Sequence, residues 1–369
     1  MTHKHYPNDY QIMNRIRFTL LLLLLPLLAG ATSIFDQLQR TEEFTATEVT
    51  LTVPVDSLLA KVATEQEAGI VFTDEQGVLH TYDLEVSVRG KFRRNRCSFV
   101  PLKLNFSKKD LKAAGLESFD KYKLVVPCFE GGAATDLIIK EYLAYRAYNL
   151  LTPASFRVQL LNLTYRDAAG DHADRTVTAF LIENTKEMAV RLGGEEVDEA
   201  LGLAAAAYDA KAEISHALFQ YLLGNGDWSL PLARNAKFVR MPEGQIVPVG
   251  YDFDFSGWVG APYASPSSEI GQTSLYERVY LGYHQSDTLM RAVAGEFRGQ
   301  RKAIISLINR SPLPELEREQ LWRFTARFFA QVNRMANNGQ LLFYDQLRGE
   351  TAAIIPPGAE AESYRSTGK

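Results

Sequence analysis

Asp227, Asn235, Asp252 and Asp254 are the side chains of this 369-residue chain best suited to chemistry, and they fall within one short stretch, GNGDWSLPLARNAKFVRMPEGQIVPVGYDFD. Asp227 follows Gly224-Asn225-Gly226, where glycines let the backbone turn sharply and present an acid on a loop. Such a carboxylate can accept the proton of an attacking hydroxyl or orient that hydroxyl. Eight residues on, the neutral amide oxygen of Asn235 suits a Mg²⁺ ligand set beside a carboxylate. Asp252 and Asp254 stand two apart, so on a continuing strand both acids face one side. They repel there unless a cation or an arginine joins them. Each residue also has an ordinary reading: a turn aspartate satisfied by local amides, and two acids at a strand end. The order is what carries weight. A loop Asp, then a metal-binding Asn, then a second Asp after a hairpin is the arrangement of phosphoryl-transferring enzymes of the protein-kinase type.

Those residues need elements to hold them. Asp209 can cap a helix that runs to Leu223 and stops at Gly224. Ala236–Arg240 and Ile246–Tyr251 read as strands joined by a Pro242-Glu243-Gly244 turn. Upstream, residues 44–55, 82–88, 99–106 and 122–127 have strand patterns, and 156–165 with 177–183 reads as a hairpin. A helical stretch is expected at 108–114 and a strong helix at 135–151. Helices are expected again at 286–308 and 315–335, where Leu321, Phe324, Phe328 and Val332 form a core stripe. Lys103, on a strand, could reach phosphates if the helix acid Glu141 held it, and a solvated Lys with a surface Glu is the plainer alternative. The basic run Arg89–Arg96 could cover phosphates or grip an acidic substrate, with a solvated hairpin tip as the default. It contains one glycine, so no GxGxxG loop exists there.

With 46% hydrophobic and 23% charged residues the composition is that of an ordinary globular protein. Arg15 and Arg17, an apolar run Phe18–Leu28 and Ala29-Gly30-Ala31 predict a signal peptide cleaved near Ala31, with an uncleaved anchor as the alternative. The run is too short to span a bilayer comfortably, and no later stretch looks transmembrane. Loss of Lys4, Arg15, Arg17 and Asp9 moves the formal charge from −4 to −6. An acidic mature chain argues against nucleic acid or anionic membrane as its main partner. The two cysteines, Cys97 and Cys128, could form one disulfide in an exported protein or remain buried thiols; no CxxC is present.

The segments VRGKFRR, PLKLNF, KYKLVVP, TDLIIKEYLAYRAYNLL, TAFLIENTKEM, GNGDWSLPLARN and VPVGYDFDFSG follow in order the layout of the spore-coat CotH kinase family, which the chain resembles over residues 80–260. Members are similar to atypical secreted kinases that phosphorylate Ser or Thr of exported proteins with ATP and Mg²⁺. The resemblance implies Lys103 as the phosphate-contacting lysine with Glu141 as its ion-pair partner, and Glu183 in the segment joining two lobes. It implies Asp227 as catalytic acid, Asn235 and Asp252 as metal ligands, and Asp254 as the second acid of the triplet. The chain departs from the pattern in its longer Asp227–Asn235 gap and in Arg234, where the family often has His.

The expectation is therefore an α+β, two-lobed protein-kinase-like fold. It has a signal peptide at 1–31, a strand-rich N-terminal lobe at 32–185, a helical C-terminal lobe at 186–355 and a disordered tail at 356–369. The expected function is an exported phosphotransferase using ATP and Mg²⁺ or Mn²⁺ on protein hydroxyls, secreted or periplasmic. The alternatives are a catalytically inactive binding or structural protein, with the acidic loop as a folding device or Ca²⁺ site, and a metal-dependent hydrolase. The hydrolase is disfavoured because His80, His172, His216 and His284 join no ligand cluster.

Overall fold

The computed structural model describes residues 1–2, 32–98 and 100–349. The expected signal peptide and tail lie outside those residues, as does Phe99. Seven strands, β1 (Thr47–Val53), β2 (Gln66–Thr73), β3 (Leu79–Val88), β4 (Leu102–Phe106), β5 (Lys121–Val125), β6 (Val158–Asp167) and β7 (Arg175–Ile182), close into a barrel in the order β1-β2-β3-β4-β5-β7-β6. Neighbours are antiparallel except at the closure, where β1 runs parallel to β6 with Thr47 opposite Leu161 and Val53 opposite Asp167. Alternation fills the interior. Leu51, Phe72, Val86, Leu104, Leu124, Leu163 and Leu181 meet there as one core, which also takes in Ile34 and Phe35 of the helix Ile34–Leu38.

This barrel overturns the two-lobed kinase-like architecture expected from the sequence. A strand-rich lobe of that kind is an open sheet, whereas the parallel β1–β6 pair leaves this sheet without an edge. Strand β2 was not anticipated, and without it β1 has no route to a closed sheet.

A second core lies on the outer face of β5, β7 and β6. Val125, Val158, Leu160, Phe180 and Ile182 pack there against Tyr142, Tyr145 and Tyr148 of the helix Gly132–Leu151. The same core takes in the helices Ala210–Leu223, Asp287–Gly299, Arg301–Arg310 and Glu315–Asn337. The expected helix over 286–308 is two helices, parted at Gln300. A small sheet β10-β9-β8, from Glu195–Glu196 (β8), Ala236–Arg240 (β9) and Ile246–Gly250 (β10), includes the expected hairpin. Among the described residues no helix is long and apolar enough to cross a membrane.

Cys97 and Cys128 form a disulfide that ties the end of the helix Lys91–Arg96 to the loop after β5. Ser98 N–H donates to the Cys128 carbonyl beside it at 2.9 Å. The bridge closes a 31-residue separation, worth about 3–4 kcal/mol on loop-entropy grounds. Cys128→Ser should therefore lower the unfolding free energy from urea denaturation by about that amount, with a steeper slope because the unbridged denatured chain exposes more surface.

Candidate active site

The helix Ala210–Leu223 begins at Asp209, whose carboxylate accepts from Ala212 N–H, and ends where Gly224 adopts φ +60°. Chain reversal there delivers Asn225 and Asp227 into a loop. Asn225 is buried; its amide donates to Gln220 and its Oδ1 accepts from Asp227 N–H at 2.9 Å. Asn235 reaches back from the start of β9, donating Nδ2–H to the Asp227 carbonyl at 2.6 Å and to Asp227 Oδ2 at 3.0 Å. On the return strand, Tyr251 N–H donates to the Asn235 carbonyl, and Asp252 N–H donates to the Tyr145 hydroxyl at 2.8 Å. Asn235 and Asp252 hold φ of +51° and +64°. Left-handed backbone at two non-glycine positions costs roughly 1–3 kcal/mol each, strain that concentrates at functional sites.

Asp227, Asn235, Asp252 and Asp254 thus line one cavity of about 340 Å³, together with Arg89, Gly90 and Arg93. A larger cavity of about 860 Å³ lies between Trp258 and the helix Glu315–Asn337, but its Lys140 and Glu317 pair with each other and no acids converge there. The smaller cavity is the candidate site.

Burial raises the Asp227 carboxyl to about 6, opposed by Arg234. Burial and the Asp254 charge raise Asp252, opposed by Arg89, Arg93 and Lys123. Neither the Asp252 carboxylate nor Asn235 Oδ1 takes a hydrogen bond among the described residues, so two oxygen donors remain open toward the cavity. One carboxylate with a neutral oxygen fits Mg²⁺, which keeps waters and substrate phosphate oxygens in its remaining positions. It does not make an all-protein cage. Among the described residues, no three of His, Cys, Asp and Glu are grouped to hold a metal.

Asp254 has a different partner. Arg93 donates to its Oδ2 from Nε at 3.0 Å and Nη2 at 2.8 Å, and Tyr263 adds a hydroxyl at 3.2 Å. The same guanidinium reaches Glu141 Oε2 at 3.3 Å. Burial holds Glu141 well above the usual carboxylate range while Arg93 stays charged. The basic run is accordingly no solvated hairpin tip. It forms the helix Lys91–Arg96, which the disulfide pins over the acids.

Lys103 is not in the site, and the Lys103–Glu141 pair does not form. Its ammonium donates to Glu65 at 2.8 Å on the barrel surface. It stands on the outer face of β4, whereas the helical layer covers β5, β7 and β6. Its register partner on β5, Lys123, is the lysine under that layer. There the Lys123 ammonium lies 5.2 Å from the ring centre of Tyr251, and burial lowers it to about 7 with Arg89 and Lys237 adding repulsion. Glu183 is likewise committed: it is fully buried, accepting from Arg157 and Arg191. Sequence reasoning singled out the basic run that holds Arg89 and Arg93, with a solvated tip as its default, and missed Lys123, which nothing local distinguished from Lys103.

No protein-family model and no curated protein matches the chain. The site therefore stands on its own geometry.

One buried histidine beneath it sets an acid limit. His216 is fully buried edge-on to Trp228, its Nε2 has no partner among the described residues, and burial lowers it to about 3. A depressed folded value means neutral His216 supports stability above its unfolded value near 6.5, and that support is lost as pH falls toward 3. Compared with His216→Gln, the wild-type chain should lose up to about 1.4 kcal/mol per pH unit across this window in urea titrations.

Proposed function

We propose that this chain is an exported phosphotransferase that moves the terminal phosphoryl group of a nucleoside triphosphate to a protein hydroxyl. The observation that carries the reading is the cavity itself, which Asp227, Asn235 and Asp252 line together with Arg89. The Arg89 side chain makes no hydrogen bond or ion pair among the described residues, its backbone N–H alone being taken by the Pro101 carbonyl, so a half-buried cation is left to meet an anion. Asp252 and Asn235 would hold Mg²⁺, which supplies charge neutralisation for the phosphates. Asp227, steadied by Asn235, orients the acceptor hydroxyl and takes its proton. Arg89 and Lys123 offer positive charge in place of Lys103. The resemblance of residues 80–260 to CotH kinases supports the reading, and the Cys97–Cys128 disulfide suits an oxidising compartment.

Two placements favour a second reading, a nucleotide-binding protein without transfer activity: Lys103 is spent on Glu65, and Asp254 on Arg93. Thermal shift with ATP, with and without Mg²⁺ or Mn²⁺, followed by transfer of labelled γ-phosphate to exported proteins, separates them. A metal-dependent shift with transfer is the expected result. A shift without transfer favours the binding protein, and the absence of any shift ends both.

A further inference from the structure

Asp227 and Phe255 belong to two cavities. The second of these, of about 260 Å³, is also lined by Arg234, Glu269, Gln272 and the serines Ser265, Ser267 and Ser268. The acid that the first cavity uses to orient a hydroxyl is thus also a wall of a chamber containing three hydroxyls from this same chain. None of the three donates or accepts a side-chain hydrogen bond among the described residues, so each is chemically uncommitted.

The three are not equivalent. Ser265 and Ser268 are exposed, whereas Ser267 is half-buried and fixed by its backbone. Its N–H donates to Gln272 Oε1 at 3.0 Å, and its carbonyl accepts from Ile270 and Gln272 N–H. Ser267 also sits closest to the catalytic loop. A Cβ placed on Gly226, the residue before Asp227, would lie 3.4 Å from Ser267 Cβ and 2.8 Å from Ile270 Cδ1. Glycine at 226 is what lets the serine loop approach the Asp227 backbone so closely.

We infer that Ser267 is a modification site: a hydroxyl this chain phosphorylates on itself through the Asp227 wall shared by the two cavities. The inference rests on the phosphotransferase reading, which supplies the nucleoside triphosphate. The Ser267 Oγ–phosphorus bond forms as the bond between the terminal phosphorus and the nucleoside diphosphate oxygen breaks. The hydroxyl proton passes to the Asp227 carboxylate. A cation waits for the product: Arg234 lies 3.7 Å from Asp227 and 3.8 Å from Glu269, both loose contacts at the surface. A phosphate on Ser267 offers that guanidinium shorter, bidentate bonds. A phosphoryl group there also fills the chamber and excludes other acceptors from it.

The test uses the full-length protein with γ-labelled ATP and Mg²⁺, an added exported-protein acceptor as internal control, and peptide mass spectrometry to place the label. One phosphoryl group is expected on Ser267, at a first-order rate independent of protein concentration. Ser267→Ala should lose that label and Ser267→Thr should keep it, with melting curves confirming that both variants fold. Label on the added acceptor but none on Ser267, or label confined to Ser265 or Ser268, overturns this inference and leaves the phosphotransferase reading standing. Failure to bind nucleotide at all removes both together.

Discussion

Asp252→Asn is expected to reduce phosphoryl transfer by about 10²–10³-fold or more, the range seen when a preorganised charge-stabilising group is removed. The substitution keeps the size of the side chain but deletes the carboxylate charge from the cavity that Arg89 also lines. It also relieves the repulsion between Asp252 and Asp254, one cause of the raised Asp252 carboxyl. The folded protein should therefore be no less stable, while calorimetry shows Mg²⁺-dependent nucleotide binding lost. Unchanged metal-dependent binding in this variant would remove Asp252 from the site.

The largest effect on stability belongs to Arg93→Met. Arg93 is the shared cation for Asp254 and Glu141, and all three side chains are nearly out of solvent. Removing one member of a buried ion pair strands its partners and costs about 3–5 kcal/mol. Methionine retains most of the volume, so urea denaturation reads chiefly the uncompensated carboxyls. Adding Glu141→Gln and Asp254→Asn to Arg93→Met should recover much of the loss, because a neutral set has no charge left to compensate. If the triple variant is as unstable as the single one, packing of the Lys91–Arg96 helix and not charge holds this corner.

Local pattern was enough to place the backbone of the Asp227–Asp254 stretch. The Asp209 cap, the Gly224 stop and the Pro242–Gly244 turn are all short-range signals, and the structure has each of them. They were enough to bring Asp227, Asn235, Asp252 and Asp254 to one cavity. What could not be read locally was which partner each charge takes. Lys103 and Lys123 both sit on the outer face of adjacent strands with similar flanks, and only the helical layer, a tertiary feature, separates them. Glu141 is expected from the sequence as the partner of Lys103, and the helix Lys91–Arg96 has no apolar periodicity to reveal that Arg93 turns inward and takes that place. The fold class failed for a related reason. Alternation marks a strand's faces, not its neighbours, and the β1–β6 pairing joins segments with no adjacent sequence signal.

That pairing has a kinetic consequence. Glu48 and Asn162, partners in the β1–β6 ladder, are 114 residues apart, so β1 cannot acquire its second neighbour until most of the barrel's chain has been made. Closure is then a late, slow event governed by loop entropy, and the apolar faces of β1 and β2 stay open until it happens. The export proposed above would gain from such delay, because a chain whose barrel has not closed can still be threaded.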